Sequence, residues 1–247
     1  NVNENDTPLR LTTENSSTST PTHFINEMSV RLTYEKDEKN LVKGGQRWYG
    51  DNFDVALSRN YNYSIPNIVS SSDIRFKMAF GANGKDSSSD KVNASIGGSN
   101  LLSASLPLAG ADYNRTTYNF TKSNPTSSFS LNLTVTRSNP SVLAYLDFIT
   151  VNARRSLAFY GNEMSFRDLA SVGAGNTGKF TISNANSQLF IWNITNKQQP
   201  KIVQAALIGS NLEFTLAVDT IKEFVASNGQ SFLTPTKIAQ VSYQNLH

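Results

Sequence analysis

"SSFSLNLTVT", residues 127–136, alternates apolar and polar side chains without a break from Phe129 to Thr136. Successive side chains on an extended strand point to opposite faces, so Phe129, Leu131, Leu133 and Val135 share one side, and Ser130, Asn132 and Thr134 share the other. A strand that is apolar on one face and wet on the other belongs to an antiparallel sheet lying on a core. The same period of two recurs on both sides of this segment. "EMSVRLTYE" (27–35) aligns Met28, Val30, Leu32 and Tyr34, and "DIRFKMAF" (73–80) aligns Ile74, Phe76, Met78 and Phe80. "LAYLDFITVNA" (143–153) and "NLEFTLAVD" (211–219) continue the series, while "QLFIWNIT" (188–195) reads as a strand buried on both faces or packed between layers. Turn signals fall between them at Asn83-Gly84, Gly97-Gly98, Gly209-Ser210 and Asn228-Gly229. Only "SFRDLASV" (165–172) has a helical pattern, enough for a turn or two.

The reading is an all-β protein: a jelly-roll-like β-sandwich followed by a second, smaller β unit. Residues 1–22 are too polar to order themselves by burial and are expected to be a disordered segment or linker. The sandwich is expected over 23–157, with a soft boundary near "RSLAFYGN", and the second unit over 158–247. Composition agrees: apolar residues make up 38% of the 247, aromatics 10%, and Ser, Thr and Asn are in excess. The formal charge is +3 with 17% charged residues, and "NARR" is the longest basic run, which argues against a nucleic-acid surface. With no cysteine there are no disulfides, zinc-thiolate sites or cysteine nucleophiles within these residues. No run approaches the ~18 apolar residues of a membrane-spanning helix.

Catalytic chemistry finds little footing. The two histidines, His23 and His247, flank the expected folded region, and neither has the ordered base-and-orienter context of a nucleophilic triad. Asp86 and Asp90 in "NGKDSSSD" offer oxygens but lack the ligand alternation and glycine of a calcium loop, so a solvated hairpin tip is the better reading. Glu27, Glu35, Asp51 and Asp147 could be paired acids only if the fold brought two of them together. No catalytic, cofactor-binding or metal-binding residue is therefore assigned. Trp48, Tyr49, Tyr61, Tyr63, Tyr113 and Tyr118 could supply a sugar-stacking platform, although Tyr61 and Tyr63 share a face with Ile65 and read as core.

One stretch collects unusual residues: "NLVKGGQRWYGDNF", residues 40–53. It lacks the Lys-Ser/Thr of a phosphate loop and the strand-to-helix context of a dinucleotide motif. It reads instead as a structural corner, with Gly44, Gly45 and Gly50 in turn conformations and Trp48 packed on a neighbouring sheet or domain. Arg47, Trp48, Tyr49 and Asp51 are its candidate interaction residues.

The segment 22–53, "THFINEMSVRLTYEKDEKNLVKGGQRWYGDNF", resembles the region ahead of the β-sandwich in gingipain-related sortases of the type IX secretion system, the PorU family. Residues 142–168, "VLAYLDFITVNARRSLAFYGNEMSFRD", and 180–196, "FTISNANSQLFIWNITN", are similar to further segments of that family, as is the closing Tyr243-Gln244-Asn245-Leu246-His247. Gly44 stands where the family prefers Ser, Asp51 where it prefers Glu, and Asn193 where it has Asp. The resemblance implies a noncatalytic region that scaffolds or positions a C-terminal cysteine peptidase domain of the same polypeptide, whose catalytic His and Cys lie outside these residues. It also implies an extracellular location at a bacterial outer-membrane surface, and other secretion-system proteins as partners. The residues alone leave open a stand-alone carbohydrate-binding or adhesin module.

Overall fold

The computed structural model describes residues 11–234 apart from 42, 43, 46, 110 and 111, together with residue 236. Among them the strands are, in chain order, β1 (Thr12–Glu14), β2 (His23–Ile25), β3 (Glu27–Glu35), β4 (Ser58–Ser64), β5 (Ile74–Ala82), β6 (Lys91–Ile96), β7 (Ser99–Ser105), β8 (Asn114–Lys122) and β9 (Ser128–Thr136). They continue with β10 (Ala144–Ser156), β11 (Glu163–Phe166), β12 (Thr177–Ile182), β13 (Phe190–Asn193), β14 (Lys201–Val203), β15 (Ala206–Ile208), β16 (Asn211–Ala217) and β17 (Phe224–Ser227). No helix occurs among the described residues, and so none there is long and apolar enough to cross a membrane.

The chain divides into two compact units. The larger, residues 25–157 with 167–172, carries β3 to β10 in two four-stranded sheets ordered β3-β10-β5-β8 and β4-β9-β6-β7. Every neighbouring pair is antiparallel. Counted from β3, the strand orders are 1-8-3-6 and 2-7-4-5, in which each chain-consecutive strand except β7 crosses to the other sheet, giving a jelly roll. Its core meets the sequence expectation. Phe76, Met78 and Phe80 from one sheet and Leu131, Leu133 and Val135 from the other are at most 2% exposed and belong to one apolar cluster. Phe76 stacks on Phe120 at 4.9 Å and meets Phe129 of the opposite sheet edge-on at 6.0 Å. A register shift between Leu146 and Phe148 leaves Asp147 in a bulge, where it receives the Arg115 guanidinium at 2.6 Å.

The smaller unit comprises the described parts of 1–24, 158–166 and 173–247. It holds the sheets β1-β14-β13-β17-β11 and β15-β16-β12-β2. Its centre is a set of phenylalanine rings: Phe180 and Phe214, cross-strand partners, stack at 4.8 Å, and Phe224 lies edge-on to both.

Three local expectations meet a different arrangement. Residues 12–14, inside the segment read as a linker, form β1 in parallel register with Lys201–Val203, and the Ser17 amide donates to the Thr215 carbonyl at 2.7 Å. An edge strand held by backbone bonds needs no apolar side chains, so polarity of sequence did not prevent it. "SFRDLASV" is not helical: Phe166 ends β11, and the Asp168 carboxylate accepts from the Ala170 and Ser171 amides, a local turn that competes with helix. β13 is not buried on both faces; Ile191 and Asn193 point inward, while Phe190 and Trp192 are half-buried beneath Phe232. The closing residues 243–247 lie outside the described residues.

Candidate functional site

The stretch 36–53 is a corner, built differently from expectation. Lys39 and Tyr49 exchange backbone hydrogen bonds at 2.8 and 2.9 Å, closing the loop between them, and Gly45 sits at φ +78°. The chain then runs beside the start of β10. The Gly50 amide donates to the Leu146 carbonyl, the Leu146 amide to Asp51, and the Phe53 amide to Ala144, all at 2.8–2.9 Å. Gly50 is required by proximity, since a Cβ there would lie 2.7 Å from the Lys36 Cβ.

Tyr49, 6% exposed, is the anchor: its ring lies against β5 so closely that a Cβ on Gly81 would come 2.6 Å from its Cε1. Trp48, expected to pack on a sheet, is 45% exposed. Neighbouring residues of an extended segment point to opposite sides, so only one of the aromatic pair could take the slot over Gly81. Trp48→Ala is therefore expected to change unfolding free energy by less than about 0.5 kcal/mol. Gly81→Ala, which forces a methyl into a rigid ring, should cost about 2 kcal/mol. Urea denaturation of both variants checks the pair of values.

Asp51 gathers three donors. The Tyr34 and Tyr61 hydroxyls donate to its Oδ2 at 2.6 and 3.0 Å, and the Lys36 ammonium to its Oδ1 at 3.0 Å. Burial alone would raise the carboxyl's pKa, but the bonds from Tyr34, Lys36 and Tyr61 outweigh it and hold the group below its ordinary value. The same carboxylate, with burial first, pushes the Tyr61 hydroxyl far up, so that tyrosine is a neutral donor at any physiological pH. The Tyr34 and Tyr61 rings meet edge-on at 4.8 Å.

These groups form the floor of a groove of about 480 Å³ in the sandwich unit, lined by Tyr34, Lys36, Asp51 and every residue from Ser58 to Tyr63. Of the candidate residues in the corner, Asp51 lies in the groove, Tyr49 is buried away from it, and Arg47 and Trp48 are not among its walls. Tyr61 and Tyr63, read as core, do pack on the apolar cluster, yet they also reach the groove. Tyr34, Lys36 and Arg59 have no sequence signal beyond strand alternation; convergence of β3, β4 and the corner is a tertiary property.

Of the remaining candidate carboxylates, Asp90, Glu27 and Asp147 are engaged structurally. Asp90 is fully buried, not at a solvated tip, and accepts from the Lys85, Asp86 and Ser138 amides at 2.5–2.8 Å. Arg154 of "NARR" binds Asp168 of "SFRD", Ser29 and Glu27, so two of the segments that carry the family resemblance meet in one ion pair. Asn193 donates to Glu14 at 2.6 Å and accepts from the Thr195 amide at 3.0 Å, so the amide that stands in place of a carboxylate is hydrogen-bonded on both atoms. Among the described residues no three His, Asp or Glu side chains converge as a metal cage. The groove's chemistry is that of binding: hydroxyl, amide and cationic donors around one fully engaged carboxylate.

No protein-family model and no curated protein matches the sequence. In structure, 96% of the chain matches the crystal structure of dimeric latent PorU from Porphyromonas gingivalis with a TM-score of 0.80 and 18% identity. The chain spans 24% of that protein. At this identity the likeness shows the fold, which is PorU-like. Two carbohydrate-binding modules overlap about half of the chain. They are the CBM36-1 domain of a multidomain xylanase from the hindgut metagenome of Trinervitermes trinervoides (51% of this chain, 96% of that one) and CBM36 in complex with calcium and xylotriose (49% and 98%). Both are 16% identical with a TM-score of 0.30, too low to bear on function.

Proposed function

We propose that this chain, with its PorU-like fold, is the accessory region of a PorU-like protein: a noncatalytic pair of β units that positions a gingipain-type cysteine peptidase domain lying outside these residues, at the surface of a bacterium. The observation that carries this reading is the structural match over 96% of the chain to a protein of which it spans 24%. The motif residues favour scaffolding over chemistry. Arg154, Asp168 and Glu27 are joined in ion pairs, and Tyr49 and Gly50 are fixed by close packing. The contact between His23 Nδ1 and the Thr22 hydroxyl, at 2.9 Å, lies at an exposed position.

The test has two parts. The coding sequence after codon 247 should encode a domain with a His and a later Cys in gingipain-type context. The isolated chain should cleave no peptide library, whereas a longer product containing that domain should. A downstream sequence unrelated to peptidases, or turnover by the isolated chain, overturns the reading.

A further inference from the structure

The groove is lined by six consecutive residues of β4, Ser58 to Tyr63. A pocket on one face of a strand touches alternate residues; contact with both parities means that it runs along the strand's edge. β4 is the terminal strand of its sheet, paired only with β9, so that edge carries no neighbouring strand. The hydrogen-bond phase follows from the two ends of the ladder. The Val135 amide donates to the Leu57 carbonyl, and the Ile65 amide to the Ser127 carbonyl, both within the β4–β9 register. In an antiparallel pair a residue turns its N–H and C=O to the same side, and the side alternates along the strand. Residues 57, 59, 61, 63 and 65 therefore face β9, while Ser58, Asn60 and Asn62 turn their N–H and C=O groups into the groove. None of those six main-chain groups has a protein partner among the described residues.

From this edge we infer that the groove is a binding site for an extended peptide segment, which adds to the sheet as a fifth strand beside β4 and carries an acidic side chain toward Arg59. A row of unpaired backbone donors and acceptors is matched by another backbone, and main-chain bonds give such sites their affinity. The charge preference comes from the walls. Of the two wall cations, Lys36 is paired with Asp51 and lies 3.9 Å from Glu38, which leaves Arg59 as the cation that can attract a carboxylate. Arg59 donates to the main-chain and side-chain oxygens of Asn52, at 3.0 and 3.4 Å, and has no carboxylate partner among the described residues. Long edges are usually blunted by charges, bulges or proline; β4 pairs with β9 in unbroken register without proline, and its one charged side chain is Arg59. This site rests on the edge geometry and not on the peptidase reading, so either can fail alone.

The full 247-residue chain is titrated against a fluorescein-labelled decapeptide of alternating threonine and glutamate, followed by fluorescence anisotropy and by amide hydrogen exchange. Without peptide, the amides of Asn60 and Asn62 should exchange fast and those of Arg59, Tyr61 and Tyr63 slowly; peptide should slow the first pair. Asn62→Pro removes an outward N–H, a change tolerated on an edge strand, and should weaken binding about tenfold while the thermal midpoint holds. Arg59→Gln keeps the backbone and should abolish the preference for the glutamate peptide over its lysine counterpart. No binding of the glutamate peptide, binding indifferent to Asn62→Pro in a folded variant, or equal binding of a proline-interrupted peptide overturns the inference. So does a concentration-dependent dimer of the chain that Asn62→Pro dissolves, which would make the edge a self-interface.

Discussion

Asp51→Ala will destabilise the sandwich unit by about 3 kcal/mol, although its carboxylate contributes nothing to the apolar core. Three donors lose their shared acceptor at once. Lys36, with 43% of its side chain exposed, turns to water at little cost. Tyr34 is half-buried and loses part of its bond energy. Tyr61, 6% exposed, has its hydroxyl left in the sandwich edge, and the unmet donor there is the largest part of the loss. Asp51→Asn keeps an acceptor oxygen and should lose less, about 1–2 kcal/mol. The pH dependence has a definite sign. The folded-state pKa of Asp51 lies below its ordinary value of 3.8, so its stabilisation is fully present above that value and disappears as the pH falls through the folded-state value. Urea denaturation should therefore show a wild-type-to-Asn gap that is constant from neutral pH down to about 5 and narrows below about 4. A gap that widens toward acid would mean that Asp51 is protonated in the native state and that the donor triad is misassigned.

The strands are legible because their signal is local. Alternation in "SSFSLNLTVT" and "DIRFKMAF" places Leu131, Leu133, Phe76 and Met78 in the core without knowledge of their partners, and the turn residues separate the strands. The corner is legible in part. Glycines and an aromatic pair announce close packing, but which aromatic packs depends on the phase with which residues 47–53 meet β10, and that phase is set by hydrogen bonds to Ala144 and Leu146, about ninety residues away in sequence. For the same reason Trp48, the more conspicuous residue, is not the anchor. β1 is hidden because an edge strand formed from Thr, Thr and Glu is held by main-chain bonds, to which hydrophobic patterning is blind. The groove is least legible: Asp51 stands out in its glycine-rich setting, yet its donors come from β3, β4 and Lys36 just beyond β3, and nothing in "SRNYNYS" marks which parity faces β9.

Phe180→Ala will cost the smaller unit about 4 kcal/mol, more than Asp51→Ala costs the sandwich. Phe180 is 1% exposed and contacts three other rings: Phe214 at 4.8 Å and 8° between planes, Phe224 at 5.1 Å and 65°, and Phe166 at 6.3 Å. Truncation removes the transfer energy of the ring and two well-formed aromatic pairs, the latter worth about 0.5–1.5 kcal/mol each. The cavity would persist, because its walls are phenylalanines on β11, β16 and β17, whose ladders fix their backbones. Phe180→Leu refills most of that volume and should lose about 1.5 kcal/mol. Trp192, on β13 of the same unit, reports the transition by fluorescence once Trp48, the chain's other tryptophan, is replaced by Phe. A domain of ordinary stability holds about 5–15 kcal/mol, so a loss of this size leaves the unit near its threshold and should lower the urea midpoint steeply. A loss below about 1 kcal/mol would mean that the rings are not tightly packed in solution. Trp192 fluorescence should follow Phe180→Ala and be indifferent to Gly81→Ala if each unit's core stabilises that unit alone, and a common midpoint shift would show that the two unfold as one.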